Sequence, residues 1–354
     1  MRNGKVGFAV VGCGVIGPWH AKAISLAPQC ELVALCDVEL EKAQKLAAEY
    51  GNVPCYSDHR KMLRKEPDID CVCACVPSGL HWRIAVDAAK AGRHVLSEKP
   101  LDITLRTMDK MIDTCRAQKV KLGCIFQRRT TAMTRMARQI VQEGRLGKLV
   151  LADCYLKYYR SPAYYKSAGW RGTWELDGGG ALMNQGVHGI DQLLYVAGDV
   201  ATVTAHAAPL VRDIPVEDTA VAILQFRSGA FGVLEGTTSV TPGMSTRTEL
   251  HGENGTLIFG DHGLVKYALA AEKAGVAKDV ELKIEEAEPP KSAASDPKAL
   301  SVLGHLVQIM DIADAIAQDR EPMVPGEEAR KAVELILAVY RSARTGRTVT
   351  LPLR

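Results

Sequence analysis

The sequence has no basic run and no basic arm. Its 44 Lys and Arg stand against 41 Asp and Glu, a formal net charge of +3, and so even a balance argues against nucleic acid or a membrane surface as a partner. No apolar stretch reaches the roughly 20 residues needed to span a bilayer. The opening Met1-Arg2-Asn3-Gly4-Lys5 runs into apolar residues without the cleavage pattern of a secretory signal. Ten cysteines are present but no Cys-x-x-Cys pair, which removes the usual spacing of a zinc or redox site. Cys71, Cys73 and Cys75 alternate along a short apolar run and so share one face of a strand, where free thiols pack as small hydrophobes. The expectation is a reduced, cytoplasmic protein with no metal, because no clear three-ligand set is visible. Internal repeats are also missing. What remains is a globular chain of 354 residues, 47% hydrophobic and 24% charged, long enough for about two domains with large cores.

The first segments alternate in type. Lys5–Val11 is short, apolar and β-branched, as a fully buried parallel strand is. It leads into Gly12-Cys13-Gly14-Val15-Ile16-Gly17 and a helical stretch opened by Pro18, which suits a first turn where its missing N–H is not needed. A second strand, Glu31–Cys36, ends at Asp37, about 20 residues after Gly17, the spacing of a dinucleotide-binding fingerprint. In that reading Gly12 permits the tight turn, Gly14 lets the backbone approach the pyrophosphate, and Gly17 allows close helix–strand packing, with Val15 and Ile16 completing the loop. The helix N-terminus attracts the phosphates. Asp37 accepts from the ribose hydroxyls and repels a 2′-phosphate, and Val38-Glu39-Leu40 offers no Arg to receive one, so NAD is expected over NADP. Strand and helix patterns continue to alternate as far as the strand Lys121–Gln127, which implies a doubly wound parallel sheet over residues 1–125. Ligands on such a sheet lie at the carboxyl ends of its strands, which brings in Pro77-Ser78-Gly79-Leu80-His81 and Glu98-Lys99-Pro100.

Residues 126–354 read differently. After a helix at Thr131–Gln142 come closely spaced, turn-punctuated strands, the signature of a largely antiparallel open sheet in an α+β domain. Glu285–Pro297 reads as a low-complexity surface loop, and two helices, Val302–Gln318 and Glu327–Thr345, close the chain. An open sheet has a face to cover, so a homo-oligomer through this domain is expected. The densest chemistry is in Trp170–Asp191. Gly178-Gly179-Gly180 lets a backbone pass close to a ligand. A helix from Ala181 sets Asn184, His188 and Asp191 at i, i+4 and i+7 on one face, suited to a polyhydroxylated ligand. Alternatively the His and Asp interact only with each other on a helix surface.

The glycine loop, Pro77 with His81, the run Ala91–Leu101 containing Glu98-Lys99-Pro100, and Gly178–Gly180 followed by His188 and Asp191 together resemble the glucose–fructose oxidoreductase / inositol dehydrogenase / MocA family. The resemblance extends over nearly the whole chain. It implies an N-terminal Rossmann domain and a C-terminal domain for substrate binding and oligomerisation. The implied activity is hydride transfer between a nicotinamide and a carbinol or ketone carbon of a sugar, polyol, sugar acid or nucleotide-linked sugar. It also implies that Lys99 is catalytic, although by residue type alone an ordinary exposed lysine explains it better, and that His188 shares the proton transfer. Pro77, His81 and Glu98 belong on this view to the cofactor site. Gln127, Arg128, Arg171 and Tyr164 face the substrate with Asn184 and Asp191. Arginines there would grip a carboxylate or phosphate, although a solvated Arg pair and ordinary aromatic packing also fit these residues. One position departs from the pattern: many family members carry Asp where this chain has Asn184. Either His188 is less basic here or Lys99 does more of the acid–base work. Two other activities fit the same motifs. One is an NAD-dependent glycosidase or lyase that oxidises a ring carbon transiently and returns the hydride. The other is a non-catalytic sensor of NAD and sugar, which would not need both Lys99 and His188.

Overall fold

The computed structural model describes residues 4–271, 277–282 and 302–353. They divide into two units, one drawn from Met1–Gln127 and Val302–Arg330, the other from Arg128–Ser301 and Lys331–Arg354.

In the first unit the opening apolar run forms β1 (Val6–Val11), buried throughout. It is followed by α1 (Gly17–Leu26), β2 (Cys30–Cys36), α2 (Leu40–Ala47), β3 (Cys55–Tyr56), α3 (His59–Lys65), β4 (Cys71–Ala74), α4 (His81–Lys90), β5 (His94–Ser97), α5 (Leu105–Ala117) and β6 (Leu122–Cys124). The strands pair in parallel in the order β3-β2-β1-β4-β5-β6. The winding reverses between β1 and β4, and a ligand is held beyond the carboxyl ends at such a point. The core gathers Phe8, Ile24 and Leu35 with Cys71, Cys73 and Cys75, and burial pushes the three thiols well above their ordinary range.

The second unit contains α6 (Ala132–Gln142), β7 (Leu149–Lys157), α7 (Pro162–Lys166), α8 (Val187–Ala197) and then β8 (Val200–Ala208), β9 (Thr219–Phe226), β10 (Phe231–Thr237), β11 (Arg247–Gly252), β12 (Gly255–Gly260), β13 (Gly263–Ala270) and β14 (Ala277–Asp279). Further along the chain are α9 (Val302–Ala317), α10 (Gly326–Thr345) and β15 (Val349–Thr350). The nine-stranded sheet runs β14-β13-β12-β11-β7-β10-β9-β8-β15. Its pairs are antiparallel except β7 with β10. Helix α8 lies so close to β7 that a Cβ on Gly189 would come within 2.4 Å of Leu156. The opposite face of the sheet exposes Leu151, Val221, Ile223 and Phe231.

One sequence expectation is corrected. Both closing helices were assigned to the domain 126–354, but α9 packs in the first unit. Ile309, Ile312 and Ala313 complete the core around β1 and α1, and Gln308 donates to the Cys124 carbonyl at 3.0 Å. An apolar stripe along a helix shows that the stripe is buried without showing what it packs against. The expected loop Glu285–Pro297 lies outside the described residues.

Candidate active site

The glycine loop is built as a phosphate cradle. Gly12 has φ +101°, and a Cβ there would sit 2.4 Å from the Cys75 carbonyl oxygen; a Cβ on Gly17 would sit 2.3 Å from the Gly12 oxygen. Gly14 meets nothing, so the loop is open above it. Val15 is exposed and Ile16 packs on the core. Helix α1 begins without a side-chain cap and without an acid in its first turn, which leaves its N–H groups available to an anion. Asp37 is fixed beside the loop, where Oδ2 accepts the Cys13 N–H at 2.7 Å and Oδ1 the Glu39 N–H at 2.9 Å. These residues fit a dinucleotide: the loop would cradle a pyrophosphate, and Asp37 would meet a ribose.

The Pro77 loop and the Glu98-Lys99-Pro100 turn are tied together by His81. Its buried ring lies 2.9 Å from the Val76 carbonyl and 2.8 Å from that of Pro100. The sequence reading put Glu98 at the cofactor. In the structure Glu98 is buried, with Oε1 between His20 Nε2 at 2.8 Å and His305 Nε2 at 3.1 Å, and Oε2 accepting the Lys99 N–H at 3.1 Å. Burial would raise its pKa, but hydrogen bonds from the two imidazoles outweigh that and hold it well below the usual carboxylate range. Neither histidine was singled out from the sequence. The available signal was a polar residue, His20, on the inner side of a helix otherwise buried through Ala21, Ala23 and Ile24. Gln127 belongs to this group as well, with its amide nitrogen 3.2 Å from His305 Nε2.

In the second unit the stretch after the glycine run is not one regular helix. Ala181–Gly186 forms a π-helical turn before α8. The wider turn breaks the expected spacing of Asn184, His188 and Asp191, and such turns gather at functional sites. Asp191 parts from the other two. It is 1% exposed, and Arg129 donates to both of its oxygens, Nε at 2.8 Å and a terminal nitrogen at 2.6 Å. Arg128 likewise is engaged with Asp261 at 2.7 Å and Thr246 at 2.8 Å. Asn184 joins a different set. It donates to Asp177 at 2.6 Å and accepts from Gln185 at 3.0 Å; Gln185 donates to the Tyr164 hydroxyl at 2.7 Å and accepts from Arg160 at 2.7 Å. Arg171 donates to the same hydroxyl at 2.5 Å and stacks between Tyr164, 4.4 Å from the ring centre, and Trp170, 4.7 Å. Arg171 thus bonds Tyr164 directly, while Arg160 reaches it through Gln185, with its guanidinium 5.7 Å from the Tyr164 ring centre, and guanidinium groups so placed suit a carboxylate or phosphate. Beneath the run, buried Glu217 accepts from Gly180 and Leu182, each at 2.9 Å, and from the Tyr340 hydroxyl at 2.7 Å. Burial raises its carboxyl to about 7. Asp177, Gln185, Arg160 and Glu217 carried no role in the sequence reading. Asp177 and Gln185 lay inside the quoted run, whereas Glu217 is distant in sequence and reaches the run only through β-sheet topology.

Known proteins share both units. Residues 6–126 match the oxidoreductase family with an NAD-binding Rossmann fold, and residues 134–258 match the GFO/IDH/MocA C-terminal domain. The chain is 33% identical to the WlbA dehydrogenase of Bordetella pertussis, whose crystal structure is in complex with NADH and UDP-GlcNAcA; the match covers 99% of this chain and 100% of that one, with a TM-score of 0.85. The WlbA structure from Chromobacterium violaceum, also with NADH and UDP-GlcNAcA, is 30% identical over 100% of this chain and 98% of that one, with a TM-score of 0.86. The myo-inositol 2-dehydrogenase of Thermotoga maritima is 28% identical over 72% of this chain and 75% of the enzyme. The chain belongs to the GFO/IDH/MocA family. As a member it is an NAD-binding oxidoreductase, and its relatives include sugar, polyol and nucleotide-sugar dehydrogenases.

Proposed function

We propose that the chain oxidises a ring hydroxyl of a nucleotide-linked or otherwise acid-bearing sugar, using NAD in preference to NADP. The observation that carries this reading is the placing of Arg171 on the Tyr164 hydroxyl and of Arg160 on Gln185, which itself bonds Tyr164 and Asn184. A neutral polyol does not need two guanidinium groups, whereas a uronate or a diphosphate pairs with them. The likeness to two dehydrogenases solved with UDP-GlcNAcA supports the same class. Bound nicotinamide supplies the hydride acceptor. The protein's part is to take the carbinol proton as the C–H hydride leaves, and that work falls to Lys99 and His188. Asn184 cannot take it; its amide is directed at the Asp177 carboxylate. Asp191 acts at one remove by anchoring α8 to Arg129. The exposed Leu151, Val221, Ile223 and Phe231 support assembly of a homodimer or homotetramer through the open sheet. A cytoplasmic location follows from the reduced thiols this reading assumes.

The test is NADH absorbance with a panel of aldoses, inositols, uronic acids and nucleotide-linked sugars. NADH growth confined to acid-bearing sugars is expected. Growth with neutral polyols alone would refute the arginine argument. No growth anywhere, with NAD retained and glycosides cleaved, would favour the hydride-recycling hydrolase. A second measurement concerns Asp37. Fluorescence titration should give tighter binding of NADH than of NADPH in the wild type. Asp37→Ser should weaken NADH by about 10-fold, the loss of a charge-assisted hydrogen bond, and narrow the gap to NADPH. Tighter NADPH binding by the wild type would overturn the preference.

A further inference from the structure

Glu98 follows β5, with His20 of α1 and His305 of α9 both directed at it. Both rings aim Nε2 at the same oxygen, Oε1, at 2.8 Å and 3.1 Å, and they meet edge to face with centroids 5.1 Å apart. Neither histidine has any exposed surface. An ionised carboxylate only accepts hydrogen bonds, so each ring presents an N–H from Nε2. Burial disfavours a second proton on His20, so its Nδ1 is a bare acceptor. Among the described residues, the Nδ1 atoms of both rings are buried without a partner.

Those two orphaned atoms separate two readings of the cluster. The three ligand atoms lie close enough together to hold a cation. A metal-bound imidazole, however, moves its proton to the far nitrogen and donates it to a carboxylate, carbonyl or water. Here no group on the far side receives it, and a stranded N–H is rarer in a protein interior than an unpaired acceptor. The geometry therefore favours two Nε2 N–H donors over two ligands.

We propose that His20 and His305 are positioning residues for Lys99: they hold the Glu98 carboxylate in place, and its second oxygen holds the Lys99 backbone N–H. This rests on the reading of Lys99 as a proton-transfer group. The arrangement joins the helix of the glycine loop, the turn that carries Lys99 and the returning helix α9. The thiols around the carboxylate do not compete with it. Cys73 and Cys75 of β4 are kept neutral by burial, Cys124 of β6 directs Sγ at the Glu98 carbonyl at 3.8 Å, and Gln127 meets His305 at 3.2 Å.

The experiment uses the full-length protein labelled with 15N-lysine, with the Lys99 amide assigned by its loss in Lys99→Met. In the wild type this amide should stay flat between about pH 5 and 8, because Glu98 is already ionised there. In His20→Leu and His305→Leu it should shift and titrate. With the sugar identified by the panel above, kcat in these variants should fall about 10- to 100-fold, the cost of a small misplacement, with KM for NAD and sugar within about threefold. His20→Gln and His305→Gln, which keep an N–H donor, should restore the flat amide and most of kcat. A Leu variant with a lower Tm but an unchanged Lys99 amide and unchanged kcat overturns the proposal. So does a zinc ion that the wild type retains stoichiometrically through dialysis and His305→Leu loses. If the wild type oxidises no sugar, the dehydrogenase reading fails separately. The amide then decides alone, its movement supporting the proposal and its constancy overturning it.

Discussion

A Lys99→Met variant is expected to lose roughly 10²- to 10⁴-fold in kcat, the range carried by a positioned acid–base group, while binding NADH as the wild type does. Met keeps the length and apolar stem of the side chain and removes only the amine. The Lys99 N–H that meets Glu98 is backbone and survives the change. If the amine acts only as the carbinol proton leaves, kcat and kcat/KM fall together. If instead it only grips a substrate hydroxyl, KM rises and kcat holds. His188→Asn run in parallel apportions the work. Asn184 donates to Asp177 rather than supplying a carboxylate of its own, so an Asp-assisted imidazole is not formed at that position and the larger loss is expected at Lys99. A steady-state assay across pH reads both variants, and retention of full activity in either removes that residue from the mechanism.

The parts of this molecule that were legible from sequence are those whose cause is local. Gly12 and Gly17 stand where a side chain would strike the backbone, so the need for glycine there was legible from the pattern together with the strand, helix and acid around it. Cys71 and Cys73 alternate in a buried parallel strand, and both are fully buried. The limits are equally physical. Helix α9 has an apolar face that fits any core, and only the tertiary fold brings it to β1 and α1. The trio of His20, Glu98 and His305 spans more than 200 residues of chain, a distance no periodicity can bridge. The even spacing assumed for Asn184, His188 and Asp191 presupposed an α-helix. A π turn follows the glycine run, and the N–H groups of Gly180 and Leu182 there are held by Glu217. Arg128 and Arg129, adjacent in sequence, serve different carboxylates, Asp261 and Asp191, because a tight 3₁₀ turn at Gln127–Thr130 sends neighbouring side chains apart.

The pair Arg129–Asp191 carries the largest expected effect on stability. The two side chains are 3% and 1% exposed, the hydrogen bonds are bidentate, and the guanidinium also lies 4.7 Å from the centre of the Tyr195 ring. Asp191→Leu keeps the volume and removes the counter-charge, leaving a buried cation without that carboxylate. Breaking a buried pair from one side costs roughly 3–5 kcal/mol, which should appear as a lower urea midpoint with an unchanged slope. The double variant Arg129→Met/Asp191→Leu should recover most of that loss, because two apolar side chains in place of a buried ion pair are often neutral to stability. The two outcomes distinguish what the pair does. If the double variant is stable but turns over slowly, the ion pair serves to orient α8, the helix that presents His188. If it is stable and fully active, the pair only avoids a buried lone charge. If Asp191→Leu alone costs less than about 1 kcal/mol, the value of an exposed pair, then Arg129 reaches water or another anion and the buried-pair argument fails.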